Sequence, residues 1–437
     1  MKKFFNYINN EVLVKAANLN TANISVKIIA GILISKFIAI YIGPQGMALI
    51  GNLRNFLTAI QSIAILGLYK GVVKFISQFK TQADELTKTL STVFYLGFFS
   101  SVLLSFLCYY NATFINGLIF HNHYNYTYVI ETLALVLPFY ALNMFAFSIM
   151  NGFSKYKILL IINIISQVLG LLVTLLLIWQ EHIDGALLAM VITPALNLLI
   201  TIVGIAFRQN LIASIRITEI SLSVLNKLSP YMIMALVSVV ALPIVMIIIR
   251  NYIIAEIGLE AAGYWEAMNR ISSYYLMFIT SIITLYIVPR LSEIDSKKDF
   301  RKEVIGFYKS VMPIFGLGLL LLYFLKSLIV PLIFSDDFKP VENLFFWQLL
   351  GDFIKVLSIV IAYQFLAKKM FVHFILIEVF LVVMLYSSSV YLIDIFGVEG
   401  AVIGHFVTYV MHYGIVLLIF GSSLFGIIPH EDSDSSS

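Results

Sequence analysis

Along most of this chain, apolar residues gather in long runs separated by short polar connections, rather than alternating with polar ones. A bilayer core about 30 Å thick is crossed by about 20 helical residues. A helix also satisfies its own backbone hydrogen bonds, which a lone strand cannot do in lipid. The runs therefore predict membrane-spanning helices. Twelve can be laid out, over residues 22–42, 46–68, 89–110, 126–149, 158–179, 185–207, 230–253, 262–288, 310–332, 344–366, 372–395 and 399–424. Two connections, 208–229 and 290–309, are longer, polar and charged, and neither is long enough to fold alone.

The placement of Lys and Arg supports this layout. One alternating set of connections holds Lys2, Lys3, Lys15, Lys70, Lys74, Lys80, Lys88, Lys155, Lys157, Arg208, Arg216, Lys227, Arg290, Lys297, Lys298, Arg301, Lys302, Lys309, Lys368 and Lys369. The opposite set holds only Lys339. Cytoplasmic loops are the basic ones, so both termini are expected in the cytoplasm. The domain layout that follows is a cytoplasmic N-terminal segment (1–21), a six-helix bundle (22–207), a cytoplasmic linker (208–229), a second six-helix bundle (230–424) and a cytoplasmic tail (425–437). The end of that tail, His430 to Ser437, is acidic and Ser-rich and is expected to be disordered.

Composition agrees with an all-α polytopic membrane protein. Hydrophobic residues make up 60% of the 437 residues, charged residues only 12%, and the mean hydropathy is +0.96. A soluble surface needs roughly twice that share of charge. The first twenty residues carry Lys2, Lys3, Glu11 and Lys15 and lack the apolar core of a cleavable signal, so the first span reads as a retained anchor. The single cysteine, Cys108, excludes an intrachain disulfide and a cysteine-based metal cluster.

The two halves match each other at an offset of about 215 residues. Ile42-Gly43 corresponds to Ile257-Gly258, and Arg54 to Arg270 after a one-residue insertion. Val73-Lys74-Phe75 lies opposite Pro289-Arg290-Leu291. Asp184-Gly185-Ala186 with Thr193 corresponds to Glu399-Gly400-Ala401 with Thr408. A parallel repeat of six-helix bundles is a common plan for transporters, with the substrate site between the repeats.

The charges inside the predicted spans are the candidate functional residues, because a charge in the bilayer usually faces a cavity or a partner. Arg54 and Arg270 lie roughly 12 Å into their spans at the helical rise. Pseudo-symmetry would place them facing each other. Glu266 and Arg270 have i,i+4 spacing and are expected to pair, and Asp352 and Lys355 form a similar i,i+3 pair. Lys27 and Lys36 point to roughly opposite faces of the first span. Lys27, Arg250, Lys326 and Glu378 lie near span ends, where snorkelling to the interface is the plainer expectation. The interior set has a positive excess, which suits a pyrophosphate. The substrate-binding candidates are therefore Arg54, Arg270, Lys27, Lys36, Arg250 and Lys355. Glu266 and Asp352 are the candidates for ion or proton coupling.

His405 and His412 share one helix face and could relay protons, although a buried, hydrogen-bonded histidine is the more ordinary reading. Pro138, Pro194, Pro243 and Pro313 fall inside spans, where they can kink helices. Trp179, Trp265 and Trp347 sit near span ends, where interfacial anchoring explains them. There is no Walker A motif, no HExxH and no Cys/His cluster. No ATP site, metal, cofactor or nucleic-acid partner is expected, and the chain does not read as an enzyme.

Gly43-Pro44-Gln45-Gly46 with Asn52-Leu53-Arg54, and the run Phe346-Trp347-Gln348-Leu349-Leu350-Gly351-Asp352-Phe353-Ile354-Lys355-Val356, resemble segments of the Wzx-type O-antigen and lipid III (enterobacterial common antigen) flippases. The segments around Leu242-Pro243 to Arg250 and around Trp265 are similar too. The resemblance covers about residues 20 to 420. These proteins belong to the multidrug/oligosaccharidyl-lipid/polysaccharide exporter superfamily, in which twelve helices form two six-helix bundles. The resemblance implies that an undecaprenyl-pyrophosphate-linked oligosaccharide is moved from the cytoplasmic to the periplasmic leaflet of the bacterial inner membrane, and alternating access is the mechanism expected. Membrane lipids would surround the protein, and an O-antigen polymerase and chain-length regulator would work beside it. By motif match, Arg54, Asp352 and Lys355 inherit a functional role. The competing readings are a cation-coupled multidrug exporter of the same fold, which should carry an acidic or aromatic cavity, and a membrane enzyme acting on a polyprenyl lipid.

Overall fold

The computed structural model describes residues 11–79, 81–120, 124–206, 215–294, 296–368 and 370–425. The start of the N-terminal segment, residues 208–214 of the linker, and the acidic tail lie outside the described residues. Regular structure among the described residues is helical throughout.

The first unit comprises Met1–Arg250 together with Ile333–Ser335. It contains α1 (Glu11–Tyr41), α2 (Gly43–Ala64), α3 (Leu68–Phe79), α4 (Ala83–Tyr110), α5 (Ala112–Phe120), α6 (Thr127–Gly152) and α7 (Tyr156–Ala206). A 3-10 turn at Ile217–Glu219 leads into α8 (Leu222–Glu256), most of which belongs to this unit. The second unit comprises Asn251–Leu332 and Asp336–Ser437. Its helices are α9 (Leu259–Ile282), α10 (Val288–Glu293), α11 (Lys297–Ser310), α12 (Met312–Phe324), α13 (Lys326–Ile333), α14 (Phe345–Ala367), α15 (Phe371–Phe396) and α16 (Val398–Phe425).

Among the described residues, ten helical stretches are long and apolar enough to cross a membrane. One of them, Lys157–Gly204, is broken at His182, which adopts φ 50° and ψ −118°, and so supplies two crossings. The 22-residue α2 adds another, its apolar character diluted by Asn52, Arg54, Asn55 and Gln61. The result agrees with about twelve spans. Large exposed side chains recur at helical spacing, as with Phe99, Leu103 and Phe106 on α4, Leu317, Leu321 and Phe324 on α12, and Val372, Leu376, Val379 and Val383 on α15. Such stripes suit contact with lipid, and the protein is a multi-pass membrane protein.

Three connections contain structure that apolar runs alone do not disclose. Residues 68–79, which read as the end of a span and a polar loop, form the amphipathic α3. Its Leu68, Val72, Phe75 and Ile76 pack with Leu90, Val93, Ile149, Val224 and Leu228. Residues 297–310 form α11, which opens on Ser296, whose hydroxyl accepts from the Asp299 N–H at 3.0 Å. Phe300, Val304 and Phe307 are buried on one face of α11, and its cations are on the other. The described part of 208–229 is tied to α4: the Arg216 and Ser221 N–H groups donate to Ser91 Oγ and Thr92 Oγ1, both at 2.9 Å. Helix α8 starts at Leu222, ahead of the expected 230, and the division between units falls after Arg250, inside it.

The internal repeat has a geometric counterpart in each unit. Gly43 and Gly258, 215 residues apart, both take positive φ (78° and 129°) at the tight turn between two helices. His182 and Gly397, also 215 apart, do so at 50° and 63°. Just beyond, a Cβ on Gly185 would lie 2.0 Å from the Leu177 carbonyl oxygen, and one on Gly400 would lie 2.1 Å from that of Leu392. Matching positions thus make the same close chain reversal in both units. Pro138, Pro194 and Pro243 lie within helices. Pro313 differs from expectation. It occupies the first turn of α12, after a break at Val311, where its missing N–H costs nothing.

Candidate functional site

In the first unit, the Asn52-Leu53-Arg54 segment of α2 sets the arrangement. Asn52 is completely buried, and its side-chain amide donates to the Ile119 carbonyl of α5 at 2.8 Å. Its oxygen accepts from Arg250 Nη1 of α8, also at 2.8 Å. Arg250 is itself completely buried. The expectation that it snorkels is therefore corrected: a guanidinium can stay inside a span when it finds polar oxygens there. Asn55, one turn along α2, is also buried. Arg54 is half-exposed on the adjoining face. Lys36 of α1 is half-buried and donates to the Phe334 carbonyl. Lys27 is exposed, in keeping with its place near a span end.

In the second unit, Glu266 and Arg270 on α9 are both buried and pair at 3.2 Å, as their spacing predicts. Asp352 on α14 is completely buried and is the centre of a larger network. Its Oδ2 accepts from Ser272 Oγ, from the Tyr275 hydroxyl at 2.5 Å and from Gln348 Nε2 at 3.2 Å. Its Oδ1 lies 3.0 Å from His405 Nε2 of α16. Asp352 thus pairs directly with His405 rather than with Lys355. The Lys355 ammonium lies over the Tyr409 ring, 5.1 Å from its centroid.

Gly351 explains how His405 gets there. A Cβ at this position would come 2.6 Å from His405 Cδ2 and 3.1 Å from Phe406 Cα, so glycine permits the close crossing of α14 and α16. His412, two turns further along α16, is buried and bonded to Ser358, the ordinary structural role. Lys326 is held locally, donating to the Glu342 carbonyl at 3.2 Å and lying over the Tyr323 ring. Glu378 is half-buried about two turns into α15. Trp179 is largely exposed, as an interfacial anchor should be, but Trp265 is buried and packs in the protein interior.

The structure therefore brings together Arg250 with Asn52, Glu266 with Arg270, and Asp352 with His405. Arg54 and Arg270 belong to different units. Sequence reasoning missed Asn52, Ser272, Tyr275, Gln348 and Tyr409. Asn52 and Gln348 lie inside the two most distinctive motifs and were open to discovery. Ser272, Tyr275 and Tyr409 are ordinary span residues that carry no signal of their own. Among the described residues, no group of three His, Cys, Asp or Glu side chains could hold a metal ion.

Comparison with known proteins agrees with this architecture. The chain is 28% identical to the lipid III flippase of Escherichia coli (strain K12) over 414 residues, covering 93% of this chain and 98% of that protein. The lipid III flippase of Shigella flexneri matches to the same extent. Among solved structures, an inward-facing multidrug resistance MATE family transporter of the MOP superfamily has a TM-score of 0.74 at 13% identity, covering 94% of this chain and 96% of that one. The lipid II flippase MurJ, in an inward closed conformation, has a TM-score of 0.71 at 15% identity, covering 94% and 90%. The chain thus shares its fold with these two structures. Residues 53–343 match the family described as polysaccharide biosynthesis protein. With two-thirds of its length inside that match, the chain belongs to the polysaccharide biosynthesis protein family.

Proposed function

We propose that this protein is a flippase that carries an undecaprenyl-pyrophosphate-linked oligosaccharide, an O-antigen or related repeat unit, across the bacterial inner membrane. The observation that carries this reading is the match to lipid III flippases over nearly the whole of both chains. The interior charges support it. Lys36 donates to the Phe334 carbonyl and Arg250 to Asn52 Oδ1 inside the first unit, and their cationic groups suit an anionic headgroup. In this reading Arg54, Lys36 and Arg270 contact the pyrophosphate, and Arg250 holds Asn52 in position. Lys355 and Lys27 add positive potential, and Glu266 and Asp352 serve coupling. Transport proceeds by alternating access, from the cytoplasmic to the periplasmic leaflet. Both termini are cytoplasmic, and an O-antigen polymerase and chain-length regulator take the product onward.

A cation-coupled multidrug exporter is the second reading, favoured by the MATE likeness alone. The surplus of interior cations opposes it. The test is reconstitution in liposomes with fluorescent undecaprenyl-pyrophosphate oligosaccharide, following leaflet exposure by quenching. Wild type should flip the lipid, and Arg54→Ala and Arg270→Ala should each slow it at least about tenfold, the loss of one charge-assisted contact. Efflux of cationic dyes without any lipid flipping would replace this reading with the second.

A further inference from the structure

Helix α11 has one face packed and one face open. Phe300, Val304 and Phe307 are buried, and the Phe300 ring lies against that of Phe420 on α16, centroids 5.7 Å apart. Lys297, Lys298, Arg301, Lys302 and Lys309 are all exposed. At the helical period they form one ridge beside and opposite the buried stripe. The acids of α11 are engaged elsewhere. Asp299 is bonded to Ser296 at the helix start, and Glu303 lies 3.7 Å from Arg290. Among the described residues, none of the five cations makes an ion pair. Lys297 with Arg301, and Lys298 with Lys302, are like charges at i,i+4, an arrangement that weakens a helix. Folding alone gives no reason for it, whereas an anionic partner does.

Position decides the kind of partner. Along the helical chain, Lys302 lies about 18 Å from Ile314, where the exposed apolar stripe of α12 begins. The polar layer of a bilayer is only about 5–8 Å deep on each side. Lys297 to Lys302 therefore stand clear of the lipid headgroups, where a peptide fits better than a membrane surface. This chain carries such a peptide. Glu431, Asp432 and Asp434 follow α16, lie outside the described residues, and have no Lys or Arg between them and Phe425. Helix α16 ends at Phe425, about 8 Å of helix beyond Phe420. Phe420 touches Phe300, and Lys297, Lys298, Arg301 and Lys302 lie within about 5 Å of Phe300 along α11. Extended chain covers at most about 3.5 Å per residue, so Glu431 can reach about 20 Å from Phe425, and Asp434 about 30 Å. The ridge is inside that range.

We propose that the cationic ridge of α11 is the docking surface for the acidic segment Glu431-Asp432-Ser433-Asp434 of the same chain, held by charge pairing with Lys297, Lys298, Arg301 and Lys302. The docked segment relieves the repulsion along α11, ties the end of α16 to the start of α11, and closes this surface to other anionic ligands. The pairing is exposed to water, so it weakens as salt rises. None of this depends on the flippase reading.

Two measurements on the full-length protein test this. In neutral phosphatidylcholine nanodiscs, carbodiimide coupling mapped by mass spectrometry should join Glu431, Asp432 or Asp434 to Lys297, Lys298 or Lys302. The yield should fall several-fold when salt is raised from about 0.1 M to about 1 M, where the screening length drops to about 3 Å. Coupling of these acids to other lysines instead would overturn the proposal. Spin labels then read the distance between Gly306→Cys, where a Cβ meets no neighbour within 4 Å, and Ser435→Cys, in a Cys108→Ser background. The distance should be short and narrowly distributed. Reversing the ridge with Lys298→Glu, Arg301→Glu and Lys302→Glu should lengthen and broaden it. Adding Glu431→Lys, Asp432→Lys and Asp434→Lys should restore it, which a misfolded helix would not allow. A distance that ignores the reversal, or a reversal that the second set fails to rescue, sinks the proposal. Release of the segment when phosphatidylglycerol replaces the neutral lipid would assign the ridge to anionic lipid and overturn it too.

Discussion

At Arg250 the guanidinium is completely buried and donates to Asn52 Oδ1. Truncation would empty the site and strip Asn52 of a donor, so Arg250→Ala should lower stability by about 3 kcal/mol. Arg250→Met keeps most of the volume and should cost less. Thermal unfolding in detergent checks both. A methionine variant that keeps its melting temperature yet loses flipping would move Arg250 from a positioning role to direct substrate contact. Glu266 and Arg270 make a buried pair. Removing one member of such a pair usually costs about 3 kcal/mol, and removing both costs much less than the sum. Glu266→Gln and Arg270→Gln should therefore show a favourable coupling of more than about 1 kcal/mol in a double-mutant cycle. Additive effects would mean that each side chain is held by other groups. The spacing of this pair was legible in the sequence. The Arg250–Asn52 contact was not, because it joins residues 198 positions apart.

Helices in this protein are placed by a few small residues and by amphipathic faces. Gly351→Ala would put a methyl group 3.1 Å from the Phe406 backbone and closer still to His405. The α14–α16 crossing would have to widen, at a cost of about 1–3 kcal/mol for overpacking. The loss should appear as a lower melting temperature, and an unchanged melting temperature would show that the crossing can yield without cost. Helix α3 gives a second contrast. Val72 is completely buried in the core of the first unit, whereas Lys74 reaches out to the Tyr231 hydroxyl at 2.7 Å. Val72→Asp should abolish folded protein in size-exclusion profiles, while Lys74→Gln should change stability by less than about 1 kcal/mol. Equal effects would contradict the amphipathic assignment. Both α3 and α11 escaped a reading based on apolar runs, because only one face of each is apolar.

For the whole molecule, the bias of Lys and Arg predicts which connections face the cytoplasm. Lys298 on α11 and Lys339 in the 3-10 segment Asp336–Leu344 are both exposed and fall on opposite sides of that bias. In a Cys108→Ser background, Lys339→Cys should react with a membrane-impermeant maleimide added to whole spheroplasts, and Lys298→Cys only after permeabilisation. The reverse pattern would invert the topology and with it the direction of transport.

The sequence by itself determined the class, the approximate number of spans, the two-fold internal repeat and the identity of the interior charges. These follow from local quantities: the length of an apolar run, the alternation of basic loops and the spacing of residues on one helix. It also carried the family, through the motifs around Arg54 and Asp352. Apart from the Glu266–Arg270 pair, the tertiary structure alone decided what the interior charges are bonded to. Arg250, read on the sequence as snorkelling to the interface, is held by Asn52, and Lys355, read as the partner of Asp352, lies over Tyr409. His405 reached Asp352 because Gly351 lets two helices cross closely. Partners of this kind lie on different helices, and a pattern read along the chain records which side chains share a face but not which face they meet.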